Sequence, residues 1–491
     1  MGLLLGIDLG TSAVKAAILD AATGRCVASS IIPETEIPRS SPQPGWTEQS
    51  PGDWWQSTIA AIHSLPVAYR SQVEGIGVAY QMHGLVLIDA KGEPVRPAII
   101  WSDGRATPSG DQLLKDIGPK ISDKLLNRPG NFTAAKLRWV RDFEPGSLSK
   151  TWKAMLPGDY IAFKLTGEAT TTSTGLSEMI AWDFEGGMPS LEIWHAAGGT
   201  EAMLPTLAPI FGEQGRISPA AASELGLKPG TAIYYRAGDQ PNNALSLNVL
   251  EPGEVAATVG TSGVLYGVTN SIKRDPKERV NTFLHVNSQP QAPRLGILLC
   301  VNGAGGFYSW IRKSLSAGTF GDLNELAEGS AAGADGVIAI PYGNGPERSL
   351  GNKTPGAGFA HIDINRHRPR DLARASQEGI VFAMRFGAEV FSELGTKPSM
   401  IRAGTGNMFK STLFCQTFAT NLGADLELYE TDGALGAARG AGIGARLFGF
   451  KDAFKGLERI ATYSPNKAEA AQYEEVYGRW KDHLEAAMEK V

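Results

Sequence analysis

The chain has 491 residues, too many for one hydrophobic core, and its 42% apolar and 20% charged residues suit a globular protein of two domains. With 46 Lys+Arg against 51 Asp+Glu the net charge is −5, and no basic run occurs, which argues against nucleic acid or an anionic membrane as a main partner. No stretch is long enough to span a bilayer, and the apolar start at Leu3–Ile7 is too short for a signal-peptide core, so a cytoplasmic protein is expected. Cys26, Cys300 and Cys415 are scattered without metal-ligand spacing and read as free thiols.

The chain opens with an apolar strand ending in Asp8, a turn of small residues (Gly10, Thr11, Ser12) and a second strand carrying Lys15. A third strand, over 25–32, completes a meander. A helix is expected over 51–70, with Pro51 at its start and Asp53 in its first turn. The strand 75–79 runs into Gln81, Met82 and His83; strands at 85–89 and 97–100 follow, the latter ending in Trp101, Asp103 and Arg105. Residues 106–230 read as mostly helical. A strand over 231–236 leads into Asp239 and Gln240, and a domain boundary is placed near 248–253, giving domains 1–249 and 250–491. The second half continues with strands at 255–268, helices around 303–330 and 370–395, and a strand at 400–402. The turn Gly404-Thr405-Gly406-Asn407 is expected to start a helix running to about 422. Residues 432–445 form a small-residue helix able to pack closely. Its Gly-x-Gly spacing does not make a dinucleotide site, because no strand is expected directly before it. The remainder, 452–491, reads as charged amphipathic helices.

Three features carry chemistry. Backbone N–H groups in a turn of small residues can receive a phosphate, and a carboxylate beside them can hold a metal ion that the phosphate shares. Gly10-Thr11-Ser12 with Asp8 fits that description, although an ordinary hairpin turn remains open on the residues alone. A second turn, Gly260-Thr261-Ser262, repeats the first with apolar strands on each side, and Thr258 stands where Asp8 stands in the first copy. Two such units in two halves suggest related domains gripping one nucleotide. Asp239 ends an apolar strand at a helix start, where it is either an N-cap or a general base. Gln81, Met82, His83 and Trp101 suit a polyol, with Asp103 fixing hydroxyls or bracing its loop with Arg105. Neither a P-loop nor the protein-kinase motif set is present.

With these residues in their order and spacing, the chain resembles the FGGY family of carbohydrate kinases over nearly its whole length. The matching segments are GIDLGTSAVK at Gly6–Lys15, QMHG at Gln81–Gly84, WSDGR at Trp101–Arg105, AGDQ at Ala237–Gln240, GTSG at Gly260–Gly263 and TDGALGAARGAGIGA at Thr431–Ala445. The resemblance implies an α/β fold of two ribonuclease-H-like domains, of the actin/hexokinase ATPase type, with a central cleft for sugar and ATP. It implies ATP-dependent phosphorylation of a ketopentose, with Asp239 as base and Asp8 at the Mg²⁺–phosphate site. Met82 and His83 match the sugar-binding pair of the family's ketopentose kinases. Gln240 stands where many of these carry Asn, and Gly404-Thr-Gly-Asn407 replaces the usual Gly-Gly-Gly adenine loop. Another ketose or a polyol is the alternative substrate, and an actin-like nucleotide switch the alternative class. A homodimer is expected by analogy with such folds alone.

Overall fold

The computed structural model describes residues 2–351 and 353–491. The chain packs into two compact units, one comprising 2–248, 283–293 and 431–457, the other 249–282, 294–430 and 458–491. The expected division into two contiguous stretches at 249/250 therefore gives way to a discontinuous one. The physical reason lies in 431–457: its helix has its complementary surface on the sheet of the first unit.

The first unit is built on β1 (Leu3–Leu9), β2 (Val14–Asp20), β3 (Cys26–Ile32), β4 (Val73–Tyr80) and β5 (Ala232–Gly238), in the order β3-β2-β1-β4-β5. β1 pairs antiparallel with β2 and parallel with β4, and β4 pairs parallel with β5. As the central strand, β1 is covered on both faces, which is why Leu4, Leu5, Ile7 and Leu9 form an almost unbroken apolar run and are all fully buried. The outer β3 alternates exposed and half-buried residues. Helix α1 (Pro51–His63) starts where expected, with the Ser50 hydroxyl accepting the Asp53 amide at 3.3 Å, and it ends seven residues early, followed by a short turn of helix at Val67–Arg70. The stretch 106–230 is less helical than expected. Its helices, including α2 (Thr133–Phe143) and α3 (Ser173–Met179), alternate with two- and three-residue strands such as Lys153–Met155 and Thr170–Thr172. Helix α4 (Asp239–Ser246) follows β5 directly.

The second unit repeats this topology with β6 (Glu254–Val259), β7 (Gly263–Thr269), β8 (Leu295–Val301), β9 (Met400–Gly404) and β10 (Asp425–Tyr429) in the order β8-β7-β6-β9-β10. The directions match the first sheet: β6–β7 and β7–β8 antiparallel, β6–β9 and β9–β10 parallel. A strand at Asn281–Leu284 adds to one edge, and β11 (Arg459–Tyr463) adds antiparallel to the other. Helices α5 (Ala304–Ser314), α6 (Pro369–Glu393) and α7 (Thr412–Leu422) belong to this unit. Helix α8 (Gly433–Gly444) belongs to the first unit, and α9 (Lys467–Met488) to the second. β10 and β11 correct the expectations that no strand stands before the small-residue helix and that 452–491 is wholly helical. Both β10 and β11 are only five residues long, too short for a pattern of alternation to stand out from the surrounding polar residues. Helix α9 turns Tyr473, Val476, Tyr477, Trp480 and Leu484 inward at helical spacing, so it completes a core as well as covering it.

Candidate active site

In the first unit, strand ends and helix starts converge on two carboxylates. Asp8 is the penultimate residue of β1 and sits opposite Lys15 of β2 in the ladder. The start of α8 abuts it so closely that a Cβ on Gly433 would fall 2.2 Å from Asp8 Oδ2. The Asp432 side chain caps that helix by accepting the Leu435 amide at 2.9 Å. Asp239 is the first residue of α4. Asn242 and Ser246 of α4 tie this helix to α8: Asn242 Nδ2 donates to Gly433 O at 2.8 Å, and Ser246 Oγ to Asp432 O at 3.0 Å.

Both acids are half-buried. Burial raises Asp8 to about 6, with the Lys15 ammonium opposing and Asp432 adding to the shift. Burial likewise raises Asp239 to about 7, with the charge of Asp8 adding and hydrogen bonding to Gln240 opposing. Mg²⁺ that shares nucleotide phosphates takes only one or two protein carboxylates. Asp8 offers such a donor, and no group of three His, Cys, Asp or Glu able to hold a metal by itself occurs among the described residues. The residues fit a metal held jointly with phosphates.

The Gly10–Ser12 turn closes with Gly10 N donating to Ala13 O at 3.0 Å. The Thr11 hydroxyl is engaged within the protein, accepting from Trp101 Nε1 at 2.9 Å and donating to Gln81 Oε1 at 3.3 Å. Ser12 is exposed. Gln81 is buried, and its amide donates to Gln49 Oε1 at 3.0 Å, an oxygen that also accepts from Trp54 Nε1. Gln81 is therefore tied into the frame beneath the turn. Gln49, which no sequence motif marks, is the hub of that frame.

Met82 packs against Gly238, the residue before Asp239. His83 adopts a left-handed conformation (φ 63°), and its ring lies between Phe132 and Phe283. Its Nδ1 meets the Glu178 backbone carbonyl at 3.0 Å. A carbonyl only accepts, so Nδ1 carries the hydrogen of this bond. Lys136 Nζ of α2 donates to His83 O at 2.7 Å, and burial pushes this ammonium down to about 7 against the attraction of Asp103. The Trp101 ring is 42% exposed, leaving a flat face open.

Asp103 is fully buried, and its carboxylate receives the Arg105 guanidinium at 2.7 Å and the Thr47 amide. Arg105 also reaches Glu48 at 2.7 Å and lies 3.8 Å above the Trp46 ring. Asp103 thus braces its loop with Arg105. Asp103→Asn is expected to cost about 2–3 kcal/mol in urea unfolding, because it weakens a buried ion pair. A loss under about 0.5 kcal/mol would remove Asp103 from the bracing role.

In the second unit the Gly260–Ser262 turn closes with Gly260 N donating to Ser262 O at 3.0 Å. Helix α5 starts against it: a Cβ on Gly305 would stand 1.9 Å from Gly260 O, and Gly306 N donates to Thr261 O at 3.1 Å. Gly404 ends β9, and Asn407 (φ 55°) starts a 3₁₀ turn that reaches Lys410 before α7 begins under a Ser411 cap. The expected direct entry into the helix is thus interrupted. The Asn407 amide lies beside Gly260, 3.2 Å from where a Cβ would be, so the two turns share one end of the sheet. Helix N-termini and free-standing turn amides at the carboxyl ends of parallel strands form a natural anion and nucleotide site.

Two α/β units of one topology, one with paired carboxylates and the other with glycine turns over a helix start, define a two-domain kinase of the actin/hexokinase ATPase type. The FGGY family of carbohydrate kinases accounts for the chain in detail: its N-terminal domain matches residues 3–246 and its C-terminal domain residues 255–445. The xylulose kinase of Escherichia coli (strain K12) is 31% identical, with 90% of each chain covered. That of Bacillus subtilis (strain 168) is 28% identical over 98% of this chain and 96% of the other. The crystal structure of xylulose kinase from Rhodospirillum rubrum superposes with a TM-score of 0.87 at 25% identity, covering 99% of this chain and 98% of that one. The chain belongs to the FGGY family of carbohydrate kinases, and is a sugar kinase that uses ATP. No helix among the described residues is long and apolar enough to cross a membrane.

Proposed function

We propose that the protein phosphorylates D-xylulose to D-xylulose 5-phosphate. The observation that carries this reading is the extent of similarity to xylulose kinases, 31% identity across 90% of both chains in one case. It is supported by the Met82–His83 wall that meets the Asp239 turn at Gly238. Asp239 accepts the proton of the sugar's terminal hydroxyl as that oxygen attacks the γ-phosphorus of ATP; the bond to the β,γ-bridging oxygen breaks and ADP leaves. Met82, His83, Trp101 and Gln240 hold the sugar. Gly10, Ser12 and Lys15 donate to phosphate oxygens, and the turns Gly260–Ser262 and Gly404–Asn407 receive the nucleotide. Asp8, together with the phosphates, would hold Mg²⁺, which when bound would supply charge neutralisation.

A coupled assay of ADP release across D-xylulose, D-ribulose, pentitols, glycerol and gluconate tests the assignment. The highest kcat/KM is expected for D-xylulose, and a preference for any other member by about tenfold would transfer the assignment to it. ATP hydrolysis that proceeds at the full rate without sugar would point instead to a nucleotide switch.

A further inference from the structure

Glu178 is a buried acid next to the site that the reaction as described does not use. It lies near the end of α3 and is 1% exposed. Its Oε1 accepts the Tyr80 hydroxyl at 2.5 Å, whereas its Oε2 has no hydrogen-bond partner. That oxygen faces Gly238: a Cβ there would lie 2.7 Å from Glu178 Oε2 and 2.5 Å from Met82 Cγ. The backbone carbonyl of the same residue receives His83 Nδ1. Glu178 thus bonds to the last residue of β4 and to His83, and its free oxygen shares with Met82 the space beside the residue that precedes Asp239.

We propose that Glu178 is a positioning residue for phosphoryl transfer, holding the sugar-binding wall and the turn into Asp239 in register from behind. The proposal rests on the reading of Met82, His83 and Asp239 as sugar-site residues. Glu178 works as the neutral acid. A buried carboxylate with one oxygen unpaired and no cationic partner among the described residues is too costly to persist, so the group keeps its proton. Burial lifts this carboxyl well above the usual range; the Tyr80 hydrogen bond opposes the shift and the charge of Asp239 adds to it. Ionised, it would set another negative charge beside Asp239.

Three variants test the proposal in the full-length enzyme. Glu178→Gln keeps size, neutrality and an acceptor for Tyr80, and is expected to remain within about threefold of wild type in kcat and sugar KM. Glu178→Ala removes the tie, and Tyr80→Phe removes it from the other side. Each is expected to raise the sugar KM by about tenfold, with ATP affinity measured without sugar unchanged. Unaltered sugar kinetics in Glu178→Ala would overturn the proposal. So would a Glu178→Gln enzyme as impaired as the alanine variant, or a parallel loss of ATP affinity. If Glu178→Ala does not fold, Tyr80→Phe and Glu178→Gln decide by the same criteria. Failure of the sugar-kinase reading shows separately, because wild type itself would then phosphorylate none of the sugars.

Discussion

Asp239→Asn is expected to lower sugar phosphorylation by about 10³-fold while raising the melting temperature of the protein. The first effect follows from the chemistry: the amide has the shape of the carboxyl but cannot accept the hydroxyl proton. ATP binding, followed by calorimetry, is expected to stay within about twofold, since the nucleotide is assigned to other residues. The second effect follows from linkage. The folded-state pKa of about 7 lies above the ordinary 3.8, so the native protein binds more protons than the unfolded chain between those values. The stability contribution of this group is fully present below about pH 4 and is lost as pH rises toward 7. Asn carries no such penalty. Allowing for the partial exposure of Asp239 and for relaxation, the gain at pH 7.5 is about 1–2 kcal/mol, or a few degrees, and it vanishes at pH 4. Turnover of the wild type is expected to decline as pH falls through the pKa of Asp239, because the protonated carboxyl cannot accept the hydroxyl proton. Residual turnover within tenfold of wild type in Asp239→Asn would remove Asp239 from the role of base.

The other large effect is expected where helix α8 lies on the sheet. Gly6 of β1 and Gly77 of β4 are side by side in the parallel ladder. A Cβ on Gly6 would stand 1.8 Å from Ala434 O, and one on Gly77 1.9 Å from Ala437 O. Both obstacles are backbone carbonyls of α8, so relief requires the whole helix to lift. Gly77→Val is expected to cost more than about 3 kcal/mol in a denaturant titration and to leave little soluble protein, and Gly77→Ala to cost about 2–3 kcal/mol. Lifting the helix also moves Gly433 away from Asp8, so surviving protein should lose turnover along with stability. Gly478→Ala is the control. Nothing lies within 4 Å of its Cβ position on α9, and it is expected to stabilise by about 0.5–1 kcal/mol. If Gly77→Ala is tolerated as well as Gly478→Ala, the close approach of α8 to the sheet is not a constraint on this protein.

Much of this architecture was legible in the chain. The opening meander, the repeated Gly-Thr-Ser turn and the strand ends at Asp8 and Asp239 are local features. Apolar runs bounded by small residues and a carboxylate leave the backbone few alternatives there. Short β10 and β11 were not legible, because each has only five residues and is held by pairing with strands well separated from it in sequence. The roles of Gln81 and Asp103 were legible only as candidates. Residue type allows either a ligand or a brace, and the choice depends on partners that arrive from elsewhere, Gln49 for one and Arg105 with Thr47 for the other.

Strand and turn identity, the family and the two carboxylates are determined by the sequence by itself, because short-range patterning and fixed motif order specify them. Tertiary structure alone decides that residues 431–457 return to the first unit, that α8 rests on Gly6 and Gly77, and that Glu178 sits behind Asp239. Each of these depends on two surfaces far apart in the chain fitting within van der Waals distance, and no local pattern encodes which glycine will meet which carbonyl.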